Sequence, residues 1–211
     1  MANPKLARAK QTYTDEARRL AAQSMAQLEE AKVTPDALTI SGVGLCIAGS
    51  VAVFFEYLGW GFYWIGAVLF VVGSILDILD GALARSRGIG SPFGAFLDST
   101  VDRVGEGFMI AAIGLVLMRH DQMWGVALAF AAVAGSFLVS YARARAEALG
   151  LRGDVGLGSR AERVVVITTG LVLAPIHELV LPATMALLAT TAWVTVVQRI
   201  VFVRKQLREQ I

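Results

Sequence analysis

A chain of 211 residues that is 56% hydrophobic and 17% charged, with a mean hydropathy of +0.62, is too apolar for an ordinary soluble domain, where about 25% of residues carry charge. The formal net charge of +2 gives no reason to expect a nucleic-acid partner, and the lone Cys46 cannot close an internal disulfide. What remains is an all-α membrane protein with one principal domain, in which Cys46 is expected as a small buried hydrophobe.

In chain order, residues 1–33 are polar and charged and hold no continuous apolar core, so they do not read as a cleaved signal peptide. Within them, residues 4–31 predict an amphipathic juxtamembrane helix, with Tyr13, Ala17, Leu20, Ser24 and Leu28 on one face and Arg18, Arg19, Glu29 and Glu30 off it. Such a helix can lie in the membrane interface or pack on the domain as a solvated helix. Residues 34–211 form the second unit. Thr34-Pro35-Asp36 is a helix start, with Thr34 at the N-cap, Pro35 in the first turn and Asp36 at the positive end of the helix dipole.

Six transmembrane helices are predicted from there, over about 37–58, 61–85, 92–118, 123–146, 161–176 and 179–203. Each approaches the roughly 20 residues that a membrane helix needs, and Pro175 blurs the end of the fifth. Of the 19 Lys and Arg residues, only Arg119 falls in the turns near 58–61, 119–122 and 176–179. The positive-inside rule then places both termini and the loops at 86–91 and 147–160 in the cytoplasm of a multi-pass cell-membrane protein.

The informative residues lie at the cytoplasmic end of the second and third spans. Asp77 and Asp80 are three residues apart, Asp98 and Asp102 four apart, so each pair shares a helix face. The short connection from Ser86 to Ser91, with Pro92 opening the next helix, is expected to make the two helices antiparallel neighbours and the pairs converge. Four carboxylates next to hydrocarbon repel each other and are costly to desolvate. Hard divalent cations resolve the conflict, and two Mg²⁺ ions (or Mn²⁺ in their place) would balance four negative charges. The ordinary alternative is ion pairing with Arg85, Arg87 and Arg103. Gly81 and Ala84 beside the first pair, and Gly94 one turn before Asp98, leave room for close helix contact and a phosphate-bearing ligand.

These residues fit D-x2-D-G-x2-A-R-x8-G-x3-D-x3-D without a mismatch. The pattern resembles the signature of the CDP-alcohol phosphotransferase family, and the likeness extends over about residues 34–205. It implies a six-helix homodimeric membrane enzyme that transfers a phosphatidyl-type group from a CDP-linked lipid to a hydroxyl, with divalent metals, releasing CMP. By position it implies Asp77, Asp80, Asp98 and Asp102 as metal ligands, with Asp102 also the general base. It implies Gly81, Arg85 and Ser91 as contacts of the CDP-lipid, together with Asp36, Ala37, Leu38 and Thr39. The hydroxyl is kept where the family often has Thr instead of Ser91. The chemistry itself needs charge neutralisation and a proton acceptor, which metal-bound carboxylates can supply. His120 and His177 fall in the opposite turns and read as non-catalytic surface residues.

A second basic group, Arg143, Arg145, Arg152, Arg160, Arg163 and Arg199, lies on the same predicted side. Arginine in or at the end of an apolar span suits clamping of a phosphate, so the group points to an acceptor that already carries one. The stretch Ser140 to Asp154 with Arg160-Ala-Glu-Arg163 resembles the actinobacterial phosphatidylinositol phosphate synthases. That likeness implies inositol 1-phosphate as the phosphorylated polyol acceptor, its phosphate held by Arg143, Arg163 and Arg199. Those enzymes usually have Lys where Arg143 stands, and the archaetidyl counterparts share much of the pattern. A phosphatidylglycerophosphate synthase, acting on glycerol 3-phosphate, would use the same arginines. Glu106, one turn beyond Asp102, reads equally as a support for the site or a contact of the acceptor. A cation transporter would use the aspartates but has no use for the Gly81, Ala84 and Arg85 pattern.

Overall fold

The computed structural model describes residues 34–209, and their regular structure is helical throughout. Six helices follow in order: α1 (Pro35–Phe54), α2 (Gly61–Ser86), α3 (Pro92–Arg119), α4 (Met123–Ala148), α5 (Arg160–Leu173) and α6 (Val180–Glu209). Short 3₁₀ turns at Glu56–Leu58 and Ala174–Ile176 join α1 to α2 and α5 to α6. The helix expected over residues 4–31 lies outside the described residues.

Local chemistry sets the helix starts. The Thr34 hydroxyl accepts from the Ala37 amide at 3.2 Å, and Pro35 occupies the first turn, where its missing N–H costs nothing. Ser91 repeats the device before Pro92, its hydroxyl accepting from the Gly94 amide at 2.9 Å. At α5, Ser159 and Glu162 form a reciprocal capping box. The ends depart from the hydrophobic pattern. The first apolar run continues to Leu58, but α1 stops at Phe54, and the chain turns through Gly59 at φ 154°. The fifth stops at Leu173, because Pro175 has no N–H for another helical bond.

Glycine decides the packing at the site end. A β-carbon on Gly73 of α2 would stand 2.5 Å from the Gly42 carbonyl oxygen and 2.7 Å from the Cys46 sulfur of α1. One on Gly49 would stand 2.9 Å from the Gly66 carbonyl oxygen. The backbones of α1 and α2 therefore touch along two small-residue contacts, the arrangement that helices use where hydrophobicity cannot drive association. On its other side α1 meets α3, where Gly105 abuts Cys46. Thus α1 lies between α2 and α3, which scarcely touch. This corrects the expectation, based on the short connection from Ser86 to Ser91, that α2 and α3 are packed neighbours. The narrow face of Gly42, Cys46 and Gly49 lets α1 insert between them. On the far side α4 packs along α6, with Gly135 against Ala192 and Trp193. Phe70, Met109, Ile113, Ile167, Leu171 and Met185 fill the core.

Four of the helices, α1, α2, α4 and α6, are long and apolar enough to cross a membrane. Their outer faces carry exposed Ile40, Val68, Ile75, Ile78, Phe130 and Val197, which match lipid and not water. The other two fall short for separate reasons. Asp98, Asp102, Arg103 and Glu106 interrupt α3, and α5 has 14 residues, about 21 Å of helix against a hydrocarbon core of about 30 Å.

Candidate active site

The carboxylates gather where α2, α3 and α5 meet. Asp77 and Asp80 are buried on α2, while Asp98 and Asp102 on α3 are partly exposed. Asp77, Asp98 and Asp102 each present an oxygen within 4.8 Å of the others. Asp80 stands apart from this trio. It accepts a hydrogen bond from the Thr39 hydroxyl of α1 and faces an open cleft together with Asp98.

That cleft, about 230 Å³, collects most of the residues expected to meet the CDP-lipid: Asp36, Thr39, Gly81, Arg85 and Ser91. Ala37 and Leu38 do not line it. The Ala37 amide serves the Thr34 cap, and Leu38 is buried in the packing of α1. Arg85 folds back over Gly81, where a β-carbon would come 3.3 Å from its Nη1. The Ser91 oxygen is engaged as the cap of α3, but its O–H can still donate to a ligand.

Two arginines one turn apart on α5 face this region. Arg160 bridges Asp77 and Asp102, its Nη2 lying 2.5 Å from Asp102 Oδ1. Arg163, 6% exposed, grips buried Glu106 with Nε–Oε1 at 2.8 Å and Nη2–Oε2 at 2.9 Å. A third donor on Arg163 reaches the Gly158 carbonyl at 3.0 Å, and Ser136 of α4 donates to Glu106 at 2.7 Å. Glu106 thus ties α3 to α4 and α5, a placement its sequence position left open. Arg103 pairs with Asp102 at 3.2 Å and donates to Ser140 of α4. Of the ion pairs expected between the aspartates and Arg85, Arg87 or Arg103, the structure contains that of Arg103 with Asp102.

The other acceptor-side arginines are anchored as well. Arg199 of α6 donates to the backbone carbonyls of Val155 and Val139. Arg143 is exposed, its Nε on Glu147 at 2.8 Å. The connection 149–159 is pinned to α6, since the Arg152 amide donates to Gln206 Oε1 at 3.0 Å and Gln206 returns a bond to the Arg152 carbonyl at 2.8 Å. In the same loop the hydrogen-bonded Arg152 guanidinium holds the Asp154 carboxyl below the usual range. His120 and His177 are exposed at the opposite end, as expected, His120 lying beside Glu56 at 3.3 Å.

The donor set suits a hard divalent cation. Three carboxylate oxygens lie close enough to share an ion. Asp102 Oδ1 is also buried and, apart from its charge contact with Arg160, has no hydrogen-bond partner among the described residues. What the sequence pattern did not single out is Arg160 as the residue on the aspartates. The usable signal was its position three residues before Arg163, on the same face of α5.

The family model for CDP-alcohol phosphatidyltransferase matches residues 32–201. A phosphatidylinositol phosphate synthase of Mycolicibacterium smegmatis is 38% identical over 179 residues, covering 82% of this chain and 79% of that protein. An archaetidylinositol phosphate synthase of Methanothermobacter thermautotrophicus is 37% identical over 144 residues, covering 68% and 71%. The crystal structure of Mycobacterium tuberculosis phosphatidylinositol phosphate synthase with CDP-DAG bound superposes with a TM-score of 0.78 at 33% identity, covering 88% of this chain and 94% of that one. The same enzyme in complex with manganese and citrate gives 0.77 at 34% identity, covering 87% and 88%. With the signature aspartates assembled at one end of an all-helical membrane bundle, this chain belongs to the CDP-alcohol phosphatidyltransferase family.

Proposed function

We propose that this protein transfers the phosphatidyl group of CDP-diacylglycerol to a hydroxyl of inositol 1-phosphate, giving phosphatidylinositol phosphate and CMP in phospholipid synthesis. The observation that carries the reading is the continuity of two charged groups. Arg103 pairs with Asp102 of the acidic trio and donates to Ser140 of α4, one turn before Arg143; Arg199 donates to the Val139 carbonyl beside Ser140, and Arg163 grips Glu106 one turn beyond Asp102. A metal-type carboxylate site therefore adjoins an arginine site fit for a second phosphate.

Asp77, Asp98 and Asp102, with Asp80 from the cleft side, would hold two Mg²⁺ ions. Bound there, the metals would neutralise the pyrophosphate and stabilise the departing CMP. Asp102 takes the proton of the acceptor hydroxyl as that hydroxyl's oxygen forms a bond to the lipid-bearing phosphorus and the bond from that phosphorus to CMP breaks. Thr39, Gly81, Arg85 and Ser91 orient the CDP-lipid. Arg143, Arg163 and Arg199 hold the acceptor phosphate. Arg163 spends three of its five N–H groups on Glu106 and Gly158 and keeps two for that purpose. All six helices are assigned as membrane spans, α5 through its continuation into the Ala174–Ile176 turn and α3 with its charged end at the site, with both termini and the site on the cytoplasmic side, and the enzyme works as a homodimer.

The test is a pair of KM values for Arg143→Ala and Arg199→Ala. Charge-assisted contacts worth roughly 1.5–3 kcal/mol predict about a 10- to 150-fold loss of kcat/KM for inositol 1-phosphate, while KM for the CDP-lipid moves far less. Unchanged acceptor KM in both variants defeats the assignment. A second reading, transfer of an archaeal ether lipid, is favoured by the archaetidylinositol phosphate synthase relative alone. Competition between the two CDP-lipids distinguishes it.

A further inference from the structure

Arg160 occupies the first turn of α5, immediately after the Ser159 cap. Its guanidinium spans Asp77 and Asp102, two of the three carboxylates whose oxygens cluster as a cation site. A guanidinium and a divalent ion cannot share those oxygens, because they need the same lone pairs and repel each other. Arg160 donates a hydrogen bond to Asp77, whereas its approach to Asp102 Oδ1 lacks hydrogen-bond geometry, so its hold on Asp102 is the weaker of the two. The helix itself is fixed independently. One turn later Arg163 is clasped by Glu106 and the Gly158 carbonyl, and the capping box holds Ser159. Only the Arg160 side chain, 29% exposed against 5% for Asp77, is then placed to swing away.

We propose that Arg160 is a built-in competitor for the metal, a positioning residue that balances Asp77 and Asp102 and must release both when a divalent cation binds. Metal entry and Arg160 departure are one event. Metal affinity is thereby held below what the carboxylates alone would give, and α5 keeps its place throughout. The proposal rests on the metal reading of Asp77, Asp98 and Asp102.

The experiment is calorimetric titration of Mn²⁺ into the full-length protein in detergent micelles, without substrate, for wild type, Arg160→Gln and Asp98→Asn. Removing the competitor should tighten Mn²⁺ binding by at least about 10-fold, the low end for a charge-assisted pair. Melting curves give a second readout. Arg160→Gln should melt below wild type without metal and regain the difference in saturating Mn²⁺, whereas a merely structural arginine would leave the same deficit in both conditions. If Arg160→Gln does not fold, Arg160→Lys replaces it. Lysine reaches one carboxylate at a time, so its affinity should also rise. An equal or weaker Mn²⁺ affinity in the folded variant overturns the competitor role. If Asp98→Asn binds Mn²⁺ like wild type, the metal site itself falls, and the two failures are told apart.

Discussion

Glu106→Ala should be among the most damaging single changes in the protein, although Glu106 lies outside the signature. In the native structure the Glu106 carboxylate accepts two N–H bonds from Arg163 and one O–H bond from Ser136, and both charged partners are more than nine-tenths buried. Truncation leaves the Arg163 guanidinium with only the Gly158 carbonyl and no counter-charge. Breaking a buried pair from one side costs about 3–5 kcal/mol, because the remaining charge stays desolvated. At roughly 2–4 °C per kcal/mol for a chain of this size, the melting temperature should fall by on the order of 10 °C. The assay is thermal denaturation of purified protein in one detergent, followed by tryptophan fluorescence. The double replacement Glu106→Met with Arg163→Met should recover most of the loss, since it removes both charges and keeps the volume. It should not recover turnover, because Arg163 is also assigned to the acceptor. A Glu106→Ala protein that melts within about 2 °C of wild type, well inside that estimate, would refute the reasoning.

Four further outcomes are expected. Asp98→Asn keeps side-chain volume but removes a charged ligand, so turnover should be lost while the protein still purifies as a folded species; near-wild-type activity would exclude Asp98 from the metal set. Asp102→Asn should lower kcat by at least the 10²- to 10⁴-fold typical of losing a general base. Binding of the CDP-lipid should survive better than turnover, and equal losses in both would argue against a separate base role. Gly73→Leu drives a side chain into the Gly42 carbonyl and the Cys46 sulfur, so it should cost at least about 1–3 kcal/mol in a melting experiment. Gly44→Ala, where a β-carbon meets nothing within 4 Å, should be neutral in the same assay.

Much of the site was legible because it is written in local spacing. Asp77 with Asp80 and Asp98 with Asp102 repeat at helical intervals, and Ser91-Pro92 and Thr34-Pro35 mark helix starts with chemistry that acts within four residues. What was not legible depends on which helix lies beside which. Gly42, Cys46 and Gly49 form a narrow face, but only the fold shows that α1 uses it to enter between α2 and α3. That insertion brings Thr39 onto Asp80, which faces the cleft together with Asp98. Glu106 and Arg163 are 57 positions apart, and nothing in the intervening sequence announces their pairing.

The most direct test of the proposed reaction offers three acceptors at once. Purified protein in lipid nanodiscs, with CDP-diacylglycerol and Mg²⁺, is given equimolar inositol 1-phosphate, inositol and glycerol 3-phosphate, and the lipid products are separated and quantified beside the CMP released. Phosphatidylinositol phosphate should dominate, appear in equal amount with CMP, and vanish when the metal is chelated. Dominant phosphatidylglycerophosphate, or inositol used as readily as its phosphate, would contradict the acceptor assignment.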